Sequence, residues 1–419
     1  MGKRVVIVGG GIIGLCSAYY SVRAGHEVTI IERDAPDHEC CCGGNAGMIV
    51  PSHFTPLAAP GMVATGLKMM ANPRSPFYIK PRLSWELADW GMKFVAASTH
   101  RQAEAAGHVL RDLHLASRAL FLELAADKSF KFGLKQNGLL MLCKSPDTLA
   151  EETEAVHQAR ALGIPAEVLT AEETAKLDPS VNMDICGAVY FPQDCHLEPR
   201  RLLGALTEFL KTAGVEFRWQ QNVNDWRIDD GRITAANADG DLVEGDEFVI
   251  AGGSYSPALA RPLKLHLPMQ AGKGYSVTLK KPTQLPKICS ILTEARVAVT
   301  PMGGSLRFGG TMEIAGLDKS INAERVQGIV DSAAKYFPAF DSSHFEGLPA
   351  WSGLRPCSPD GLPYIGRSTR ARNLIVATGH AMLGLSLGPI TGKMVGQIIG
   401  NENIEVNSPL ISPDRFLGF

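Results

Sequence analysis

Short continuous apolar runs and stretches of helical periodicity alternate from the start of the chain. "RVVIVGG" has the pattern of a buried strand, "GIIGLCSAYYSVRAG" that of a helix with small residues on one side, and "EVTIIER" that of a second strand. Together they predict a βαβ unit. A long loop rich in Gly, Pro and small residues follows, "CCGGNAGMIVPSHFTPLAAPG", where a regular α/β pattern would continue with another crossover. From about Leu83 to Lys128 the periodicity is helical, and Trp85, Leu87, Trp90, Phe94, Leu110, Leu113, Leu120 and Leu124 form the expected core face. "GLLMLC" reads as a strand, Thr148 to Leu162 as a helix, and "LTAEETAKLDP" as a capped helix ended by Pro179.

The strand, glycine turn and helix pattern returns twice, in "EFVIAGGSYSPALA" and in "NLIVATGHAMLGLSLGPITGKMVGQII". Between them lie the strand-rich "GYSVTL" and "VAVTPMGGSLRFGGTMEI" and a helix from about Asn322 to Phe337. Both lobes are therefore discontinuous in sequence. No solenoid repeat or low-complexity segment interrupts them.

Composition narrows the functional classes. The 419 residues exceed what one compact domain usually holds, 45% are apolar and 20% charged, and the formal net charge is −2. That balance offers no broad basic field for nucleic acid or an anionic membrane surface. No apolar run is long enough for a membrane span. Three glycines interrupt the apolar N-terminal stretch and no small-residue cleavage site follows, so it is not read as a secretory signal. The nine cysteines lack paired metal-ligand spacing, and the neighbours Cys40 to Cys42 would strain tetrahedral coordination of one ion. A reducing, cytoplasmic setting is expected, with peripheral attachment at the inner membrane face as the alternative.

Gly9, Gly11 and Gly14 satisfy G-x-G-x-x-G between the first strand and helix, and Glu32 ends the next strand. In this context Gly9 permits the tight turn, Gly11 lets a pyrophosphate approach the helix N-terminus, and Gly14 allows close helix packing. Glu32 would accept hydrogen bonds from an adenosine ribose and disfavours a 2′-phosphate, which points to FAD or NAD; the adjacent Arg33 weakens that discrimination.

The fingerprint, the "NAG" loop, "KGYS", "AVTPMGGSLRFGGTMEIAG", "WSGLRPCSPDGLPYIGR" and "ATGHAMLGLSLGPITG" occur in the order seen in FAD-dependent D-amino acid dehydrogenases. The chain resembles that family over nearly its whole length, and more broadly the D-amino acid oxidase, glycine oxidase and sarcosine oxidase superfamily. The loop "PSHFTPLAAPG" is similar to members acting on D-hydroxyproline. The resemblance implies an α/β architecture: a Rossmann-like FAD-binding domain (1–82, 186–262 and 350–419) and a discontinuous α+β substrate domain on a mainly antiparallel sheet (83–185 and 263–349).

Carried over by position, the resemblance implies that Asn45, Ala46, Gly47 and Met48 lie beside the flavin and that Val223 contacts adenine through its backbone. Gly252 joins the cofactor set. Gly379, Leu383, Gly384, Leu385 and Ser386 would bring backbone N–H groups and a helix N-terminus to the flavin edge, where negative charge develops on reduction. Arg355 would pair with the substrate carboxylate, since a guanidinium matches a planar carboxylate in bidentate fashion. Tyr275 would help close the pocket by a phenol hydrogen bond, and His53 lies on the substrate side. In sarcosine oxidases a cysteine tethers the flavin, and Gly353 occupies that position here, so the FAD is expected to be non-covalent; Cys357 is out of register.

The implied reaction takes the α-hydrogen of a small D-amino or cyclic D-imino acid as hydride to flavin N5. Oxygen, a quinone or another electron-transfer partner could then take the electrons. An oxygen-using oxidase, a flavin hydroxylase and a non-catalytic flavin-binding subunit stay open as alternatives at this point.

Overall fold

The computed structural model describes residues 2–36, 40–70, 72 and 74–417. The first apolar run forms the strand Arg4–Val8, the helix Ile12–Arg23 follows, and Glu27–Glu32 returns parallel to the first strand. Glu247–Ile250 and Leu374–Thr378 extend this sheet on one side and Glu216–Trp219 on the other, all parallel. Tyr364–Arg367 closes one edge antiparallel, giving six strands among the described residues.

Parallel strands need crossovers that cover both faces. On one face, Val5, Ile7, Ile30 and Val249 pack against Leu15, Leu202, Leu206 and Val395 of the helices Ile12–Arg23, Pro199–Thr212 and Gly388–Gly400. On the other, Val6, Val8, Phe248 and Ile250 meet Trp226, Ile233 and Val243 of a three-stranded antiparallel layer, Val223–Asp229, Arg232–Ala238 and Asp241–Glu244. Alternate residues of each strand thus feed two cores.

The second large sheet is mainly antiparallel and has nine strands among the described residues. Ala350–Cys357, Gln270–Leu279, Ser305–Ile314 and Val297–Met302 lie side by side at one end. Phe77–Ile79 pairs with Ser305–Ile314, and Gly187–Phe191 pairs with Leu139–Cys143. Phe77–Ile79, Gly187–Phe191 and Ala350–Cys357, which fall within the segments 1–82, 186–262 and 350–419, have their backbone groups satisfied in the second sheet.

The helical region is split at Ser98 and Thr99 into Trp85–Ala97 and His100–Ala126, with Ser84 and Thr99 as N-caps. Leu110, Leu113, Leu120, Leu124 and Trp90 are buried, as expected of the core face. Trp85 is not: it is 78% exposed. Five residues separate it from Trp90, about 140° around the helix, so one face cannot hold both. The helices Ala171–Leu177, begun by a Thr170–Glu173 capping box, and Ala323–Tyr336, capped by Asn322, stand where the sequence predicts them.

Candidate active site

One cavity of about 1190 Å³ runs between the two sheets, above the roughly 300–1,000 Å³ of ordinary small-molecule pockets. The end beside the glycine fingerprint is shaped largely by backbone. Gly9 has a φ of 117°, which only glycine adopts readily, and a Cβ there would stand 2.4 Å from the Ala251 carbonyl oxygen. A Cβ on Gly14 would approach the Gly9 oxygen to 1.8 Å, so the helix can sit close to the strand only without one. Gly11, in contrast, faces open space and precedes the helix with no side-chain cap. The first-turn N–H groups and the positive helix end are left for an anion.

Glu32 is buried and accepts the Gly10 N–H at 2.7 Å and the Asp34 N–H at 3.0 Å. Each carboxylate oxygen keeps acceptor capacity for a ribose hydroxyl. The Arg33 guanidinium stacks 3.4 Å from the Tyr255 ring centroid, so it is held as a lid over that ring. Val223 and Gly252 line the same end.

The flavin end of the set is less uniform. Asn45, Ala46 and Met48 line the cavity, as do Leu383, Gly384, Leu385 and Ser386. Gly47 and Gly379 stand behind it: their missing Cβ atoms would collide with the Leu197 carbonyl at 2.3 Å and the Tyr364 ring at 2.6 Å. Both are turn residues that aim their neighbours. The Ser386 hydroxyl accepts the Val50 N–H at 3.1 Å and meets His114 Nδ1 at 3.1 Å, which fixes the loop before the helix Gly388–Gly400.

Arg355 faces the cavity half-buried, and no carboxylate pairs with it among the described residues. Burial holds its pKa below the ordinary arginine value. Its guanidinium lies over Gly274, where a Cβ would come within 2.2 Å, and its Nη1 donates to the Thr311 carbonyl. Thr311 sits at φ 70°, an unusual conformation for a β-branched residue, at an irregularity in the strand Ser305–Ile314. The twisted backbone turns that carbonyl toward the guanidinium.

Register decides the fate of Tyr275. The strand pair aligns Gly272 with Arg355, Gly274 with Gly353 and Tyr275 with Ser352, and successive residues alternate faces. Tyr275 therefore points away from Arg355, and its phenol O–H donates to Glu313 at 2.6 Å among Lys273 and Arg325. Tyr275 still lines the cavity, but its phenol hydrogen is given to Glu313 in that buried network.

His53 does line the cavity. Its Nδ1 lies 2.9 Å from the Ser52 hydroxyl, which in turn contacts the buried Asp194 carboxyl. Burial pushes the His53 imidazole down to about 4 and the Asp194 carboxyl up to about 7. Neither Asp194 nor Gly274, Thr311 and Trp351 is singled out by the sequence, since spacing carries no signal for contacts between such distant segments.

A family model described as FAD dependent oxidoreductase matches residues 4–398. This chain belongs to the FAD dependent oxidoreductase family. Curated relatives include D-amino acid dehydrogenases of Methylobacterium radiotolerans, 32% identical over 99% of both chains, and of Allorhizobium ampelinum, 30% identical over 99% of this chain and 98% of that one. Among solved structures, glycine oxidase from Geobacillus kaustophilus superimposes with a TM-score of 0.79 over 99% of this chain and all of that one, at 24% identity.

The cofactor of this FAD dependent oxidoreductase is FAD, and its curated relatives are D-amino acid dehydrogenases. The open, uncapped cradle at Gly11 and the acceptor Glu32 fit the dinucleotide. At position 353 a side chain would lie 2.0 Å from the Trp351 ring, which covers Gly353, so the site has no room for a tethering cysteine. Cys357 is fully buried with its Sγ 3.8 Å from Met312 Sδ, and burial raises its thiol to about 12. All nine cysteines are free, and desolvation raises Cys40, Cys41 and Cys42 as well. No metal-binding cluster of His, Cys, Asp or Glu occurs among the described residues, and no helix there is long and apolar enough to cross a membrane.

Proposed function

We propose that the enzyme oxidises a small D-amino acid or cyclic D-imino acid, such as D-proline or D-hydroxyproline, and hands the electrons to an acceptor other than oxygen. The observation that carries this reading is Arg355, an unpaired, half-buried cation facing the cavity with its guanidinium held flat by Gly274 and Thr311. A substrate carboxylate would supply the missing counter-charge in a bidentate pair. Trp90 and Met312 pack with Leu57 and Phe77 nearby, leaving apolar walls suited to ring methylenes.

Gly9, Gly11 and Gly14 would hold the pyrophosphate, Glu32 the ribose and Val223 the adenine. Asn45, Ala46, Met48 and the turn Leu383 to Ser386 would flank the flavin ring, with Gly47 and Gly379 shaping those turns. Bound there, FAD supplies a hydride acceptor at N5. The chain's own part is to clamp the carboxylate, orient the α C–H and exclude water. Its nucleotide-binding residues hold the cofactor without a covalent bond.

Six exposed apolar side chains, Val63, Leu67, Leu83, Trp85, Met92 and Val95, come from the two helices next to the cavity and their linker. They support peripheral attachment to a membrane face, where a quinone or an electron-transfer partner could be reached. The test is anaerobic flavin bleaching by a panel of D- and L-amino acids, D-proline and D-hydroxyproline, without NAD(P)H. Bleaching by a D-substrate is expected, with dye reduction outpacing peroxide formation in air. Equal peroxide and dye rates would replace the dehydrogenase reading with an oxidase, and bleaching only with NAD(P)H would indicate a hydroxylase.

A further inference from the structure

We propose that His53, Ser52 and Asp194 form a proton relay that carries the proton of the substrate's amine from the cavity into the protein interior. This rests on the amino acid reading of the cavity above. An amino acid enters with a protonated nitrogen, and that nitrogen must give up one proton before its lone pair can form the C=N bond as the α-hydride departs. The clamp on the carboxylate does nothing for that proton.

Hydrogen-bond bookkeeping sets the direction. Asp194 lies in the turn between Gly187–Phe191 and Cys195–His196 and is 0% exposed, with no ion-pair partner among the described residues. Ser52 directs its N–H to Oδ1 at 3.2 Å and its O–H to Oδ2 at 2.5 Å. A hydroxyl has one hydrogen. With that hydrogen given to Asp194, the 2.9 Å contact between Ser52 Oγ and His53 Nδ1 requires the ring to donate, so Nε2 carries the lone pair. His53 lines the cavity, and no other hydrogen bond to its ring is formed among the described residues.

The transfer balances. The ammonium proton passes to His53 Nε2, the Nδ1 hydrogen to Ser52 Oγ and the hydroxyl hydrogen to Asp194 Oδ2. His53 ends neutral with its proton on Nε2, and Asp194 ends as a carboxylic acid. The α C–H bond breaks with its electron pair going to the family's flavin oxidant, and the iminium forms. His53 never has to persist as an imidazolium, which its burial disfavours, while the raised Asp194 suits proton uptake near neutrality.

The other titratable groups facing the relay do not compete for the proton. His114, on the helix His100–Ala126, faces His53 with its own pKa driven down to about 3 by burial. Arg118 faces Asp194 but donates to the Gln193 carbonyl at 2.6 Å. Burial raises the thiols of Cys195 and Cys289 beside Asp194.

The experiment is the anaerobic rate of flavin reduction against pH, with FAD content checked first. In the wild type the rate should fall on the acid side of the Asp194 titration. His53→Ala, Asp194→Asn and Ser52→Ala should each lose about 10²- to 10³-fold at pH 7, within the roughly 10²- to 10⁴-fold range of general acid–base catalysis. The deficit should shrink as pH rises toward the substrate amine's own pKa. Ser52→Thr, which keeps the hydroxyl, should restore the rate. Nitrogen NMR of His53 should report the Nδ1–H tautomer above the Asp194 titration and the Nε2–H tautomer below it, a swap that Asp194→Asn removes. If the variants keep the wild-type rate and pH profile, the relay is wrong while the amino acid reading stands. If no amino acid reduces the wild-type flavin, both fall.

Discussion

The two ends of the cavity are made from different materials. At the proposed nucleotide end, apart from the Glu32 carboxylate, the groups on offer are backbone: an open helix start at Gly11, a tight turn at Gly9, and a close approach at Gly14, all within six residues of sequence. At the proposed substrate end they are side chains gathered across the chain, with Arg355 resting on Gly274 and held by Thr311. A backbone site fails as a unit, whereas a side-chain site can lose one member and keep the rest. That difference predicts how each end responds to a single substitution.

The harshest test is Gly14→Ala. The new Cβ would lie 1.8 Å from a backbone oxygen that cannot move without shifting strand and helix together. Overpacking of this kind costs about 1–3 kcal/mol or more, and loss of both FAD and soluble yield is expected, read by flavin absorbance and thermal melting. Retention of full FAD content would contradict the backbone account.

Arg355 should behave in the opposite way. Arg355→Ala is expected to keep FAD while catalytic efficiency falls by about 10²- to 10³-fold, and Arg355→Lys by about ten- to a hundredfold, because lysine keeps the charge and loses the paired hydrogen bonds. Anaerobic reduction at varied substrate concentration measures both. Unchanged concentration dependence would mean that Arg355 binds no carboxylate.

Gly274→Ala sharpens the comparison, since it disturbs the arginine without touching its charge. A Cβ within 2.2 Å of the guanidinium must displace it, and an increase in KM of roughly tenfold with normal FAD content is the expected outcome. The smallest catalytic effect belongs to Tyr275→Phe, next in sequence but on the opposite face. Removing its bond to Glu313 should cost about 1–3 kcal/mol of stability in denaturant melts and leave the reduction rate unchanged. A large rate loss there would mean that the Tyr275 phenol acts on the substrate.

The same contrast governs how much could be read from the chain. Positive φ and close backbone approach are recorded in sequence as glycine, so the fingerprint, its flanking strands and Glu32 were legible. Arg355 stood out as a cation in a stiff Gly- and Pro-containing run. Register was not legible: the pairing of Gln270–Leu279 with Ala350–Cys357 sets Tyr275, which lines the cavity, on the strand face opposite Arg355, with its phenol bonded to Glu313. Thr311 was silent because a threonine in a strand-like run gives no sign of φ 70°. The exposure of Trp85 was hidden because apolar residues five apart on one helix, Trp85 and Trp90, lie about 140° apart and cannot share the core face.

Asp194 has a consequence for heat tolerance. The fold holds this carboxyl's proton more tightly than the unfolded chain does, with a pKa raised from 3.8 to about 7 by burial. Folding therefore takes up a proton, and the contribution of this group to stability declines as pH climbs from about 4 to 7 and then levels off. An enzyme built this way should tolerate warming better in mildly acidic buffer than in alkaline buffer, as far as this residue decides. Asp194→Asn should raise the melting temperature more at pH 8 than at pH 5, so the slow variant would also be the hardier one.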